Sequence, residues 1–250
     1  VKCLKGERMA ENMDNFPWKR SAAIVLAAGS GKRTQQSIKK QFMLVGGKPL
    51  LYYSLKAFSD RGIGRIVLVA AEEDFAYCRK EFTESSAFSC PIQLVQGGKE
   101  RYDSVYAGLL QAEGCDYVFI HDGARPCLEQ EVLERSAACV AQYSACVAAV
   151  PVKDTIKIVD EEGFAQQTPD RSHLWMVQTP QTFRYEIVME AYNRMMHAPK
   201  TGLVITDDAM VVENYSSCPV KMAEGSYRNI KVTTQEDLAV IKAYLETVEA

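Results

Sequence analysis

The chain has 250 residues, 47% of them hydrophobic, and a formal net charge of −3. That is enough to bury one sizeable core, and the wrong sign for a nucleic-acid or anionic-membrane partner. No run of about 18 or more apolar residues occurs, so the sequence offers no membrane span. Residues 1–20 carry scattered charges and no apolar h-region, so they read as a loose N-terminal extension rather than a secretory signal, with Met9 or Met13 as alternative starts. Residues 21–250 read as a single domain. Ala22 to Leu26 is a short buried strand that breaks into Ala27-Ala28-Gly29-Ser30-Gly31-Lys32-Arg33, with Lys40-Gln41-Phe42 behind it. Leu50 to Phe58 has helical spacing, and Arg65 to Ala70 is a buried strand. Then come a helix over Glu72 to Phe82, a strand over Ile92 to Gln96 and a helix over Asp103 to Gln111. Tyr117 to His121 is a strand, Glu129 to Ala141 a helix, and Cys146 to Val152 a strand.

From Lys153 to Arg171 the rhythm changes. Thr155 to Val159 alternates like an exposed strand, Asp160 to Gly163 is a turn, and Phe164 to Thr168 returns. This reads as a β-arm inserted at about 153–171, and exposed strand edges favour a partner, so a homodimer is expected. The chain resumes with a strand from Leu174 to Gln178, helices over Tyr185 to Met196 and Asp207 to Glu213, and a strand over Val220 to Ala223. A last helix runs from Thr234 to Thr247 behind a capping box of Thr233 and Glu236. The repeated strand–helix–strand order predicts an α/β fold, a mostly parallel sheet covered by helices on both faces, with ligands at the carboxyl ends of its strands.

The loops at those ends carry the chemistry. A strand ending in small residues and glycines leaves backbone N–H groups free to meet phosphate oxygens. Lys32, Arg33, Lys39 and Lys40 add four cations within reach, which suits a nucleoside triphosphate. The spacing fits neither a P-loop, which needs four residues between its glycines and then Gly-Lys-Ser/Thr, nor a dinucleotide fingerprint, whose third glycine is here Thr34. After the third strand, Gly97 and Gly98 permit close approach by a flat ligand such as a base; a plain turn is the alternative. Asp122, ending the fourth strand, is a candidate for Mg2+ or for a helix N-cap. Thr206-Asp207-Asp208 resembles an N-cap followed by first-turn acids. Arg171 and Lys231, taken singly, read as surface charges. The three histidines share no metal-ligand spacing, and the eight cysteines contain no Cys-x-x-Cys pair, which suits a reducing, cytoplasmic setting. Many cations, one acid and no histidine base fit nucleotidyl transfer onto an already ionised phosphate.

Taken in order, the motifs AAGSGKR with KKQF, GGKERYDSV, HDGARP, PVKDTIK, DRSHLWMVQTPQTF, ITDDA and NIKVT resemble the 2-C-methyl-D-erythritol 4-phosphate cytidylyltransferase (IspD) family over nearly the whole chain from Ser21. The resemblance implies a Rossmann-like, nucleotide-diphospho-sugar-transferase-like fold, a β-arm that interlocks a homodimer, and CTP and methylerythritol 4-phosphate as substrates. It implies that Arg33 and Lys40 stabilise the transition state at the CTP α-phosphate, and that Arg171 and Lys231 position the sugar phosphate. Ala27, Ala28, Gly29, Ser30, Gly31, Gly98, Arg101 and Ser104 would hold CTP. Asp122, Gly123, Arg125, Thr155 and Thr206 would line the sugar-phosphate and Mg2+ region, some of these residues serving the neighbouring subunit. The family has Met after the loop arginine and Pro before the lysine, where this chain has Thr34 and Lys39. The closest alternative is a CTP:ribitol-5-phosphate cytidylyltransferase. Asp170-Arg171 with Leu174-Trp175, and Ile205 to Ala209, favour the methylerythritol enzyme. A non-catalytic nucleotide-binding module would lack the phosphate cations, and a dehydrogenase would need the missing glycine.

Overall fold

The computed structural model describes residues 16–29, 39–199 and 202–246. Strand β1 (Ser21–Leu26) is small and β-branched, and it is buried on both faces as an interior strand of the sheet. A short hairpin that the sequence reading missed follows, β2 (Leu44–Val45) with β3 (Lys48–Pro49), feeding helix α1 (Leu50–Arg61). Next come β4 (Arg65–Ala70), a helical segment that is α-helical only at α2 (Phe75–Cys78), and β5 (Ile92–Gln96). The single helix expected over Glu72 to Phe82 is thus a 3-10 turn (Glu72–Asp74), one α-turn and a π-turn (Arg79–Thr83). Helix α3 (Arg101–Leu110), β6 (Tyr117–Asp122), α4 (Gln130–Tyr143) and β7 (Ala145–Pro151) stand within two residues of their predicted ends.

In the arm only β8 (Ile158–Val159) and β9 (Ala165–Gln167) pair, so Thr155 to Lys157 carries no ladder. Strand β10 (Trp175–Arg184) is twice the length expected and runs antiparallel to both neighbours, with a cis Thr179–Pro180 peptide and a register shift between Val177 and Gln181. Helices α5 (Tyr185–His197) and α6 (Asp208–Tyr215), strand β11 (Lys221–Glu224) and helix α7 (Glu236–Glu246) complete the fold. The cap before α7 is not the predicted one. The Asp237 carboxylate, not that of Glu236, accepts the Thr233 and Thr234 N–H groups, at 2.7 and 2.8 Å, and the Thr233 hydroxyl.

The seven-stranded sheet runs β11-β7-β10-β6-β1-β4-β5. The side chains of β1 alternate between two cores. Ala23 and Val25 pack with Leu51, Leu55, Phe58 and Leu133 of α1 and α4. Ala22 and Ile24 pack with Val105, Leu109, Val188 and Val211 of α3, α5 and α6. Strands β4 and β5 extend the sheet to one side of β1 while β6 returns on the other, so the order reverses between β1 and β6. Their carboxyl ends face the crevice where such sheets bind ligands, and that is where the AAGSGKR and HDGARP loops begin. Among the described residues no helix is long and apolar enough to cross a membrane.

The loose extension expected through Arg20 gives way at Phe16. Phe16 and Trp18 are buried, and Trp18 stacks on Phe119 at 5.4 Å while Arg61 lies over its indole at 4.7 Å. Aromatic burial of this kind contributes about 2 kcal/mol per side chain, so residues 16–20 belong to the domain.

Candidate active site

The residues that flank the first loop meet each other. Gln41 is buried, and its side-chain amide donates to the Ala27 carbonyl at 2.6 Å and to that of Gly29 at 3.4 Å. This places Lys40 beside the loop, where its ammonium donates to the Thr233 carbonyl. Lys39 points elsewhere. Its ammonium is paired with Glu73 at 2.7 Å and Asp74 at 2.6 Å. The expectation of four clustered cations is therefore corrected for Lys39, whose charge is already answered by two carboxylates. Ser30, Gly31, Lys32 and Arg33 lie outside the described residues.

The second loop packs on the first. The Gly97 N–H donates to the Ala70 carbonyl at 2.8 Å, and a Cβ at Gly97 would run into the Ala28 methyl. Loop-on-loop contact thus accounts for the glycine that the sequence reading gave to a flat ligand. The Ser104 hydroxyl accepts the Gly98 N–H at 3.1 Å and donates to the Glu100 carbonyl at 3.3 Å, tying the loop to the first turn of α3.

Asp122 is the electrostatic centre. It ends β6 level with Leu26 of β1, and the next residue, Gly123, donates to the Leu26 carbonyl at 2.9 Å. A Cβ there would stand 2.9 Å from the Leu26 carbonyl oxygen and 2.7 Å from Leu51 Cδ1, so glycine lets the two strand ends meet. Three cations surround the Asp122 carboxylate: Lys231 Nζ at 2.7 Å, Arg101 Nε at 3.6 Å and Arg125 Nε at 3.8 Å. Burial alone would raise its pKa, but these charges outweigh burial and hold it far below the usual carboxylate range. The carboxylate is ionised throughout the physiological range.

Behind Asp122 lies a buried polar network. The Thr179 hydroxyl accepts the Asp122 N–H at 3.1 Å and lies 2.9 Å from His121 Nδ1, while His121 Nε2 lies 3.2 Å from the Arg125 carbonyl. Burial drives the His121 pKa down to about 4. The ring is therefore neutral, and because a carbonyl can only accept, its proton sits on Nε2. Asn229 completes the network. Its amide donates to the Thr179 carbonyl at 2.7 Å, and its own carbonyl accepts from Arg125 at 2.7 Å. The Val232 N–H donates to the Ala124 carbonyl at 2.9 Å, so the NIKVT segment is pinned to the HDGARP loop with Lys231 between its two anchors.

The chain that carries these loops has relatives in sequence and in structure. The family model for 2-C-methyl-D-erythritol 4-phosphate cytidylyltransferase matches residues 21–247. The chain belongs to that family. The enzyme of that name from Lachnospira eligens is 47% identical over 90% of this chain and 99% of its own length, and the one from Caldanaerobacter subterraneus is 40% identical over 90% and 98%. Among solved structures, 4-diphosphocytidyl-2C-methyl-D-erythritol synthase from Anaerococcus prevotii is similar at 30% identity and a TM-score of 0.79, covering 90% of this chain and 98% of that one. The Thermus thermophilus cytidylyltransferase matches at 26% identity and 0.72, over the same shares.

Of the residues the family resemblance singles out, one chain brings together Ala27, Ala28, Gly29, Lys40, Gly98, Arg101, Ser104, Asp122, Gly123, Arg125 and Lys231. Arg171 and Thr155 stand apart, exposed on the arm; the Arg171 guanidinium donates to the Lys153 carbonyl at 2.9 Å. Thr206 is also exposed, its hydroxyl 3.6 Å from Met210 Sδ. The N-cap of α6 is Asp207, whose carboxylate accepts the Met210 N–H at 2.9 Å. The sequence reading missed Asp208. Its carboxylate is wholly buried and accepts both terminal nitrogens of Arg101, at 2.9 and 2.8 Å. The adjacent acids in ITDDA were its signal, but a first-turn acid normally faces solvent, and nothing local marks this one as inward.

Proposed function

We infer that the chain transfers the CMP moiety of CTP to 2-C-methyl-D-erythritol 4-phosphate, giving 4-diphosphocytidyl-2-C-methyl-D-erythritol and pyrophosphate in non-mevalonate isoprenoid precursor synthesis. The observation that carries this reading is the cluster of Lys40, Lys231 and Arg125 around the crevice, in a chain of this family. A phosphate monoester is already ionised near neutrality, so the reaction needs charge neutralisation and alignment more than a general base. The histidine adjoining Asp122 is buried and neutral, consistent with having no part in proton transfer. A monoester oxygen forms the new bond to the CTP α-phosphorus as the bond to the bridging oxygen breaks, and pyrophosphate leaves. In this reading Lys40, with Arg33, meets the charge growing at the α-phosphate, and Lys231 holds the incoming 4-phosphate.

The donor set at Asp122 suits Mg2+. Among the described residues no group of three or more His, Cys, Asp or Glu side chains could hold a metal alone. One ionised carboxylate at a phosphate site is what Mg2+ takes when substrate oxygens and water complete its shell. Asp122 would hold it, and bound there the ion would screen the triphosphate charge.

The arm supports a homodimer. Ile158, Val159 and Phe164 are exposed on it, Phe164 at 66%, and Met176 and Val177 are exposed on the adjoining start of β10, an apolar surface that a second copy would cover. Arg171 and Thr155, on the same arm and outside the Asp122 cluster, would then complete the partner's site. The buried free thiols suit a reducing, cytoplasmic setting.

The deciding assay is pyrophosphate release with CTP and Mg2+, comparing methylerythritol 4-phosphate with ribitol 5-phosphate. Release with the former alone is expected. Preference for ribitol 5-phosphate, or silence with both, would overturn the reading. Sedimentation of a chain lacking the arm tests the dimer: a truncated protein that still dimerises refutes the role given to the arm.

A further inference from the structure

A fully buried carboxylate persists only where its charge and lone pairs are answered. Asp208 has both. Arg101 donates to each of its oxygens, and the Tyr192 hydroxyl donates to Oδ1 at 2.6 Å. The backbone around it is fixed as well. The Gln181 side-chain oxygen accepts the N–H groups of Asp208 and Ala209, at 2.9 and 2.8 Å, and the Gln181 amide donates to Asp207 at 2.9 Å. The start of α6 is thereby bound to β10, and the Asp208 side chain reaches across to the first residue of α3.

The consequence falls on Asp122. Arg101 has five N–H bonds in a rigid planar fork, and two of them are spent on Asp208. Its Nε lies 3.6 Å from Asp122 Oδ1, beyond hydrogen-bond range but within reach of charge. Freed from Asp208, the guanidinium could close on Asp122 as a bidentate pair. Asp122 already carries Lys231 at 2.7 Å. A carboxylate capped by both groups has little capacity left for another cation.

We propose that Asp208 is a positioning residue of the nucleotide site: it takes up the charge of Arg101 and fixes its plane, so that Asp122 stays open to the divalent cation that arrives with CTP. This rests on the reading of Asp122 as the carboxylate that meets that cation. Arg101 is then a neutralised brace, and the Tyr192 hydroxyl holds the brace's anchor.

The test is Mn2+ affinity, measured by electron paramagnetic resonance with CTP present and no sugar phosphate, in the full chain and in Asp208→Asn, Tyr192→Phe and Asp122→Asn. Asp208→Asn should weaken Mn2+ binding about tenfold, the size of one charge-assisted hydrogen bond. It should raise the cation concentration for half-maximal turnover by the same factor, with turnover recovering at saturating cation. Tyr192→Phe should move both in the same direction by less, and it decides the matter if Asp208→Asn does not fold. Unchanged Mn2+ affinity, or lost turnover that no cation concentration restores, would overturn the proposal and leave a purely structural ion pair. Asp122→Asn separates the two readings. If it too leaves Mn2+ affinity intact, the cation site is misplaced; if it abolishes binding while Asp208→Asn changes nothing, only the role of Asp208 falls.

Discussion

His121 should make stability fall with acid. The imidazole is fully buried, and burial lowers its pKa from 6.5 to about 4. In the unfolded chain it titrates near 6.5, so between that value and about pH 4 the unfolded state binds the extra proton. Stability therefore rises with pH across this window: the contribution is complete above 6.5 and is lost as pH falls through the folded value. The full coupling is about 3 kcal/mol, of which about 2 kcal/mol is gone by pH 5. The assay is urea unfolding at several pH values from 7.5 to 4.5, for wild type and His121→Gln. The glutamine should cost stability at pH 7, because it cannot reproduce both contacts to Thr179 and Arg125, and the gap should close by about 2 kcal/mol on going to pH 5. A gap that stays constant with pH would mean that the buried ring is not held neutral, and the tautomer assigned above would fall with it.

Adjacent lysines should behave oppositely. Lys40→Ala is expected to lower turnover by about a hundredfold or more without changing the thermal melt, whereas Lys39→Ala, which removes a lysine already bound by Glu73 and Asp74, should stay within a few-fold of wild type; equal losses would show that both serve the phosphate. Gly97→Ala should destabilise by about 2 kcal/mol through overpacking against Ala28, and Ala28→Gly in the same chain should recover much of it in urea unfolding; no recovery would return Gly97 to a ligand-contact role. Lys231→Ala and Arg171→Ala should raise the KM for the sugar phosphate while leaving CTP affinity near wild type by calorimetry. Loss of CTP affinity alone would put the second phosphate elsewhere.

Most of the fold was legible because its signals are local. Apolar runs gave nearly every strand, helical spacing gave the helices, and the break at Lys153 gave the arm. The elements that were missed or misjudged take their shape from distant partners. The two-residue strands of the β2/β3 hairpin are too short to show a period. Strand β10 runs on to Arg184 because β6 and β7 lie on either side of it, and Phe16 and Trp18 look like part of a polar tail until Phe119 is beside them.

The candidate site divides the same way. By itself the sequence determined the loops, their order and the family, because a glycine-rich turn after a buried strand and a set of ordered motifs are properties of contiguous residues. Which charges meet was decided only by the tertiary structure. Lys39 and Lys40 are neighbours with the same charge, yet a short 3-10 turn (Lys40–Phe42) sends one to Glu73 and Asp74 and the other to Thr233. Lys231 and Asp122 read as a surface cation and a strand-end acid, and they become an ion pair because two hydrogen bonds pin the NIKVT segment to the HDGARP loop. Asp208 grips Arg101 from more than a hundred positions away. Local pattern records the conformation a segment prefers; the energy of a buried charge depends on what stands within a few ångströms of it, and that is set by packing.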